Sequence, residues 1–177
     1  ADLFVVFAKI EDDKNLSAFI VEKSFGGITL GEEEKKLGIK GSSTRQVFFN
    51  DCPVPRENLL GEREAGFKIA LNILNSGRIK LAAGSIGGAK FALNKAITYA
   101  IERKQFGKTL DKFQVTQFKL ADMATELEAS RLMVLRAACA LDSQDKHATK
   151  LCAMAKRYAT DVCSEICNMA LQILFPD

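Results

Sequence analysis

The hydrophobic period changes once along this chain, near residue 62, and that change limits the folds open to it. Residues 1–60 hold short segments of strand type, such as LFVVFAKI and LSAFIVEK, and end in a loop that contains Pro53 and Pro55. From about Glu62 onward, apolar residues recur at steps of three and four, which is the period of a helix. Strands followed by a run of helices predict an α+β fold, with a β-domain at 1–61 and a helical domain at 62–177.

Three long helices are predicted in the second part, over about 62–101, 111–141 and 146–174. Helices of about 30 to 40 residues are typical of an antiparallel bundle, which usually has four members. The missing member is expected from a segment outside these 177 residues or from a partner chain. Because the sequence starts within a strand pattern and stops within a helical one, we expect it to be cut from something larger.

Two features of these predicted helices need a partner. Four glycines lie in the first helix, where each costs up to about 1 kcal/mol relative to alanine: Gly77, Gly84, Gly87 and Gly88. They indicate either close approach by another backbone or a ligand, or simple tight helix packing. Arg131 falls within the apolar stripe of the second helix, so we expect it to be buried or half-buried and paired with Glu128 or a carboxylate of a partner helix.

Composition and motif searches remove several functional classes. The formal net charge of +3 is too small to argue for nucleic acid binding, and the motifs GxSxG, GxGxxG after a strand, HExxH and the P-loop are absent from the sequence. The five cysteines form no CxxC pair and are accompanied by a single histidine, His147. We therefore predict no metal site, and interpret the cysteines as buried free thiols in a reducing compartment.

One connection between helices is unexpectedly basic and aromatic. In YAIERKQFGKTLDKFQ, residues 99–114, four cationic residues surround two phenylalanines: Arg103, Lys104, Lys108 and Lys112 around Phe106 and Phe113. A flat anionic ligand would use both features, since arginine pairs with phosphate and an aromatic ring stacks on a heterocycle. The alternative is a charged corner with both rings buried in the bundle. A second feature is Arg78 in LNSGRIK, which interrupts an apolar run and needs an anionic or carbonyl partner.

Three stretches together resemble the acyl-CoA dehydrogenase family: FGGITLGEEEKKLGIKGSSTRQVFFNDCPVPRENLLGE, GFKIALNILNSGRIKLAAGSIGGAKFAL and YAIERKQFGKTLDKFQVTQFKLADMATELEASR. The resemblance covers essentially residues 1–174, and FGGIT and GFKIALNILNSGR are most similar to the very-long-chain branch. It implies an N-terminal helical domain, a β-barrel-type middle domain and a C-terminal bundle. This chain would hold the later part of the middle domain and three of the bundle's four helices.

The resemblance also implies that the basic corner contacts FAD. In relatives, the arginine and phenylalanine that match Arg103 and Phe106 contact the pyrophosphate and adenosine portion of FAD bound by the neighbouring subunit. The residues expected to line this site are Arg103, Gln105, Phe106, Leu110, Phe113, Thr116 and Gln172. Relatives usually continue QIL with two glycines, whereas Phe175 and Pro176 follow here, so this part of the contact departs from the family pattern.

The implied reaction is α,β-dehydrogenation of a long-chain fatty acyl-CoA to trans-2-enoyl-CoA in β-oxidation. A carboxylate removes the α-proton, hydride leaves the β-carbon for the flavin, and electrons pass to an electron-transfer flavoprotein. Arg78 matches an arginine near the pantetheine and thioester, and Asn75 matches a position that is often aspartate. The base lies beyond residue 177 in most relatives and at the position of Gly77 in a minority. No catalytic residue is therefore assigned, and residues 1–177 alone are predicted to be inactive.

The same resemblance implies a homo-oligomer, either a dimer or a dimer of dimers, that shares FAD across subunits. It implies a mitochondrial matrix or inner-membrane surface location, with peripheral membrane association, in a eukaryote and a cytoplasmic location in a bacterium. Two other hypotheses stay open. One is a non-catalytic helical assembly or scaffold protein, which a flavin-free preparation with stable partners would reveal. The other is an acyl-CoA oxidase, which would consume oxygen.

Overall fold

The computed structural model describes residues 1–175, and it confirms the predicted α+β class with strands first and long helices after. Internal contacts divide the chain into a compact unit Ala1–Leu71 and a second unit that begins at Asn72. This division falls inside the first long helix. The predicted domain boundary at residues 61 and 62 stays a prediction.

The first unit contains two antiparallel hairpins. Strand β1, Leu3–Ala8, pairs along its whole length with β2, Ser17–Glu22. Strand β3, Ile28–Glu33, pairs with β4, Arg45–Phe49, and the register shifts between Leu30 and Glu33. Gly27 precedes β3 with a φ of +68°, and a Cβ there would collide with the carbonyl oxygen of Asn50. The paired glycines of FGGIT suit such a bend, because glycine adopts a positive φ without strain.

These strands form no closed barrel within residues 1–175, because every sheet there has only two strands. The outer edge of β2 is covered in part, since Phe19 bridges to Leu59 and the Leu60 N–H donates to the Ala18 carbonyl at 2.8 Å. Further strands would have to cover the other outer edges in a complete barrel. The β part of this chain is therefore a pair of hairpins. The barrel-type middle domain implied by the resemblance remains an expectation about a larger protein.

The three predicted helices all form. Helix α1 runs over Gly66–Glu102, α2 over Gln114–Asp142 and α3 over Ala148–Leu174. Each begins two to four residues later than its apolar pattern suggested. The start of α1 is fixed by Gly66, whose N–H donates to the Leu16 carbonyl at 2.7 Å and whose missing Cβ leaves room for that approach. The start of α2 is delayed because Leu110–Lys112 form a separate 3-10 turn.

Two apolar clusters hold the helices of the second unit together. The first contains Ala89, Leu93, Ala96 and Ala100 of α1, Met123 of α2, and Cys163, Ile166, Ala170 and Ile173 of α3. The second contains Ala82 of α1, Val134 and Ala137 of α2, and Cys152, Ala155 and Ala159 of α3. The later half of α1 therefore packs with the early half of α2 and the later half of α3. The helices run up, down and up, and small residues at the contacts allow close packing.

Two expectations about these helices are corrected by the structure. Arg131 does pair with Glu128, at 2.9 Å between Nε and Oε2, but both side chains are exposed, so the pair lies on the surface of α2. The four glycines of α1 are not explained by tight packing in this chain, since a Cβ at Gly77, Gly84, Gly87 or Gly88 would meet no atom within 4 Å. Their approach by a ligand or another backbone stays a prediction.

The cysteines are only partly buried. Cys152 and Cys163 lie inside the bundle, where burial raises the pKa of each thiol, whereas Cys139 and Cys167 are exposed. The interpretation of all five as buried thiols was therefore wrong for the exposed ones, which lie outside the core stripes of α2 and α3. Among the described helices, none combines the length and apolar character needed to cross a bilayer.

Candidate functional site

The basic stretch after α1 folds into a very short hairpin. Strand β5, Lys104–Gln105, pairs with β6, Lys108–Thr109, and Phe106 and Gly107 form the two-residue turn with φ values of +51° and +80°. Positive φ at both positions matches a type I′ turn, the usual choice for a two-residue hairpin loop. The hairpin is fixed at its base because the Leu110 N–H donates to the Arg103 carbonyl at 2.9 Å.

Phe106, at the tip of this hairpin, is unfavourable for stability in two ways. Its side chain is 94% exposed, and its backbone adopts a left-handed conformation that bulky residues rarely occupy. Asparagine followed by glycine is the preferred pair in such a turn. Neither burial nor backbone preference accounts for a phenylalanine here. An outlier of this kind indicates a functional constraint on the side chain.

The structure brings the predicted nucleotide-contacting residues to one end of the bundle. Arg103, Gln105 and Phe106 are exposed on the hairpin, and Leu110, Phe113 and Thr116 are half-buried at its base. Because the ends of α1 and α3 share the first apolar cluster, exposed Gln172 near the end of α3 belongs to the same end of the bundle. Of the departure noted after QIL, Phe175 is exposed and Pro176 lies outside the described residues.

The Lys108 side chain lies over the ring of Phe113, a contact that the sequence did not predict. Its Nζ lies 4.2 Å from the centroid of the Phe113 ring, which is a cation–π distance. Leu110 packs against the first cluster. The expectation of rings buried in the bundle therefore fails for Phe106 and holds only in part for Phe113, which is half-buried beneath a lysine. This corner presents one free ring among exposed cationic side chains.

Arg78 and Asn75 form a second polar site, where α1 faces the start of α3. Asn75 is 6% exposed, and its Nδ2 donates to the Thr149 Oγ1 at 2.9 Å. Arg78 is half-buried, and its Nη1 donates to the Asn75 Oδ1 at 3.0 Å. The carbonyl partner that Arg78 was predicted to need is therefore the amide of Asn75. Thr149 was missed, since nothing in the local sequence of α3 marks a residue that bonds across to α1.

The two polar sites are far apart. From Arg78 to the last residue of α1, Glu102, the helix advances 24 residues, or about 36 Å at 1.5 Å per residue. Arg103 follows directly after that end. No single small ligand group can therefore contact both Arg78 and Arg103 of one chain.

Comparison with known proteins places this arrangement in a family. Residues 64–174 match the family profile described as acyl-CoA dehydrogenase, C-terminal domain, which is more than half of the chain. The chain belongs to the acyl-CoA dehydrogenase family. The family named from the sequence is thus confirmed, and it is a family of oxidoreductases.

Several acyl-CoA dehydrogenase relatives match almost all of the chain. It is 46% identical over 172 residues to the caffeyl-CoA reductase-Etf complex subunit CarC of Acetobacterium woodii, covering 96% of this chain and 45% of the relative. It is 46% identical to human mitochondrial short-chain specific acyl-CoA dehydrogenase, covering 98% of this chain and 43% of the relative. The crystal structure of an acyl-CoA dehydrogenase complexed with FAD from Bacillus anthracis superposes with a TM-score of 0.86 at 39% identity, covering 99% of this chain and 33% of that one.

These matches support the family but do not establish the substrate of this protein. The chain spans less than half the length of the curated relatives it matches. Their names refer to short-chain and caffeyl-CoA substrates, so the expected likeness to the very-long-chain branch is not supported by them. Relatives occur both in bacteria and in mitochondria.

Proposed function

We propose that this chain belongs to an enzyme that performs FAD-dependent α,β-dehydrogenation of fatty acyl-CoA to trans-2-enoyl-CoA, and that the hairpin at Arg103–Thr109 grips FAD. The observation that carries the proposal is the exposed, conformationally unfavourable Phe106 beside exposed Arg103. FAD, when bound, supplies the two-electron acceptor of this reaction. The chain's own contribution is to hold the nucleotide and to bind the acyl-CoA.

The chemistry of the hairpin fits FAD. A guanidinium donates two parallel hydrogen bonds to a pyrophosphate, which makes Arg103 the main anion-binding group, and the adjacent cations Lys104 and Lys108 add positive charge. The free Phe106 ring offers a stacking surface for adenine. The amides of Gln105 and Gln172 offer donors and acceptors at the same end of the bundle. Leu110, Phe113 and Thr116 would form the floor of the site.

The separation of the two polar sites supports FAD sharing across subunits. If Arg78 serves the acyl-CoA and Arg103 serves a nucleotide, the two contacts of one chain lie about 36 Å apart along α1. A cofactor held at Arg103 is then too distant to react at the Arg78 of the same chain. We therefore propose a homo-oligomer, a dimer or a dimer of dimers, in which each hairpin completes the FAD site of a neighbour.

At the substrate end, we propose that Arg78 binds the pantetheine or thioester part of the acyl-CoA and that Asn75 supports it. Gly77 lies between them and carries no side chain that could accept a proton. Gly77 therefore cannot be the base, and we propose that the α-proton is removed by a residue outside residues 1–175. For this reason no catalytic residue is assigned among residues 1–175.

The proposals for acyl chain length, electron acceptor and location are supported by the relatives. We propose a short acyl chain in place of the long one expected from the sequence, because a relative at 46% identity is named for short-chain substrates. An electron-transfer flavoprotein is proposed as acceptor, because CarC is named as a subunit of an Etf complex. The location would be mitochondrial in a eukaryote and cytoplasmic in a bacterium.

The proposed activity is tested by flavin reduction. The purified protein is expected to carry yellow FAD whose absorbance bleaches on anaerobic addition of butyryl-CoA, and to bleach more slowly with palmitoyl-CoA. Faster bleaching with palmitoyl-CoA would restore the long-chain expectation. A flavin-free protein that responds to no acyl-CoA would overturn the proposal and favour the scaffold hypothesis, while oxygen consumption on substrate addition would indicate an oxidase.

Phe106→Asn is expected to separate stability from cofactor binding. Asparagine suits the left-handed turn position, so the free energy of unfolding should rise by about 1 kcal/mol. The lost ring should weaken FAD binding by about 5- to 10-fold, since aromatic stacking contributes about 1 kcal/mol. Thermal unfolding and FAD titration of the apoprotein measure the two effects. Phe91→Asn, at an exposed phenylalanine within α1, should leave FAD binding unchanged.

A further inference from the structure

We propose that Thr149 is a positioning residue for substrate binding: its hydroxyl fixes the Asn75 amide, and the amide oxygen in turn fixes the Arg78 guanidinium. The inference rests on the proposed function, in which Arg78 contacts the acyl-CoA. It assigns a role to a residue at the start of α3, which lies 71 positions after Arg78 in sequence. Two hydrogen bonds carry it, from Asn75 to Thr149 and from Arg78 to Asn75.

The orientation of the Asn75 amide follows from the hydrogen-bonding capacity of its two neighbours, Arg78 and Thr149. A guanidinium has donors only, so the face of the amide toward Arg78 must be the carbonyl oxygen. The NH₂ group is then turned toward Thr149, whose hydroxyl accepts its hydrogen bond at 2.9 Å. Asn75 is 6% exposed whereas Thr149 is an exposed residue, so the Thr149 hydroxyl is the fixed acceptor at the solvent edge of a buried amide. Without the hydroxyl, water would be the remaining acceptor, and the NH₂ group would lose the fixed partner that keeps the amide oxygen turned toward Arg78.

Helices α1 and α3 each present two residues, one helical turn apart, at this contact. Asn75 and Arg78 are three residues apart on α1, and Thr149 and Cys152 are three residues apart on α3, so each pair shares a helix face. Cys152 is fully buried, and although burial raises the pKa of its thiol, the nearby Arg78 charge opposes that rise. The Arg78 charge therefore lies near the first turns of α3, and its one side-chain hydrogen bond within residues 1–175 is the one to Asn75.

Arg78 keeps most of its donors for a ligand. A guanidinium has five N–H donors, and within residues 1–175 the only hydrogen bond of the Arg78 side chain is the one to Asn75. Because Nη1 is held by Asn75, the other N–H groups of the guanidinium are oriented but make no hydrogen bond within residues 1–175. This is the arrangement expected of a residue that receives a carbonyl or an anionic group, and the correct placement of those N–H groups depends on Asn75 and, through it, on Thr149.

Thr149→Val removes the hydroxyl at nearly constant volume and tests the role directly. Assayed as the FAD-loaded protein with butyryl-CoA, the variant is expected to show a KM raised by about 10-fold, while kcat changes by less than about 3-fold. The rise in KM corresponds to the loss of one hydrogen bond between the misplaced Arg78 guanidinium and the acyl-CoA. Thr149→Ser keeps the acceptor and should retain a KM close to wild type. Lys150→Ala changes the neighbouring exposed residue and serves as the matched control on the same turn.

A double-mutant cycle separates positioning from a structural role. In an Arg78→Gln background, Thr149→Val should raise KM no further, because the guanidinium that it positions is gone. An equal increase in both backgrounds, or an unchanged KM with only a lower Tm, would show that Thr149 merely stabilises α3 and would overturn the inference. If Thr149→Val fails to fold, Thr149→Ala combined with Asn75→Asp replaces it. A carboxylate needs no hydrogen-bond acceptor from residue 149, so that pair should match Asn75→Asp alone in KM.

The outcomes distinguish this inference from the proposed function. A wild-type protein that bleaches with butyryl-CoA, together with a Thr149→Val variant of unchanged KM, overturns only the inference. A wild-type protein that neither holds FAD nor responds to any acyl-CoA overturns the proposed function, and the inference with it. Equilibrium binding of the product crotonyl-CoA gives a second readout, and its dissociation constant should rise by the same factor as KM.

Discussion

Arg103→Ala is expected to release FAD from the purified protein, with the dissociation constant rising by about 10- to 100-fold. A hydrogen bond between charged groups contributes about 1.5–3 kcal/mol, and the guanidinium can make two such bonds to one pyrophosphate. Arg103 is exposed at the base of the hairpin, where only its backbone supports the fold through the Leu110 N–H. Removal of its side chain should therefore affect the nucleotide and leave the hairpin intact. Fluorescence titration of the apoprotein with FAD measures the change.

Two matched variants decide whether the effect belongs to the site. Arg103→Lys keeps the charge but loses the planar fork, so its affinity should fall between those of wild type and Arg103→Ala. Arg136→Ala removes another exposed arginine, on α2 near its connection to α3, at the opposite end of the bundle. Its FAD affinity should equal that of wild type. If both arginine-to-alanine variants lose FAD to the same degree, general charge is responsible and the hairpin is not the nucleotide site.

Most of the fold could be predicted because its elements follow strong hydrophobic periods. The strands come first and the three long helices follow, as the sequence predicted. Helix starts were less accurate, because they depend on contacts that the periodic pattern does not contain. Gly66 is fixed by the distant Leu16 carbonyl, and Asp111 is taken into a 3-10 turn.

The two polar sites, the hairpin and the Arg78–Asn75 pair, were not equally predictable from the sequence. The basic connection at residues 99–114 was identified through its unusual composition and the family resemblance, but neither its hairpin nor the left-handed Phe106 was predicted from residue types. At the other end, Arg78 was expected to need a carbonyl partner, but Thr149 was not foreseen. Bonds between α1 and α3 depend on how two helices are rotated against each other, which no local period specifies. Arg131 shows the opposite error, since a residue within an apolar stripe lies on the exposed surface of α2.

Ile166→Ala is expected to lower the free energy of unfolding by about 2–5 kcal/mol, since deletion of a buried isoleucine side chain removes apolar contacts and leaves a cavity. Ile166 is 1% exposed and belongs to the cluster that joins the later halves of α1 and α3. Chemical denaturation followed by far-UV circular dichroism measures the change.

Leu171→Ala on the same helix provides the control for that change. The Leu171 side chain is 53% exposed, so its loss should lower the free energy of unfolding by less than about 1 kcal/mol. Equal losses in the two variants would mean that the cluster does not carry the packing of α3. Because the same cluster keeps the end of α3 beside the end of α1, it also keeps Gln172 at the end of the bundle where Arg103 lies. If the proposed nucleotide site is correct, a folded Ile166→Ala protein should bind FAD more weakly than the Leu171→Ala protein, since the cavity loosens the contact between the two helix ends assigned to that site.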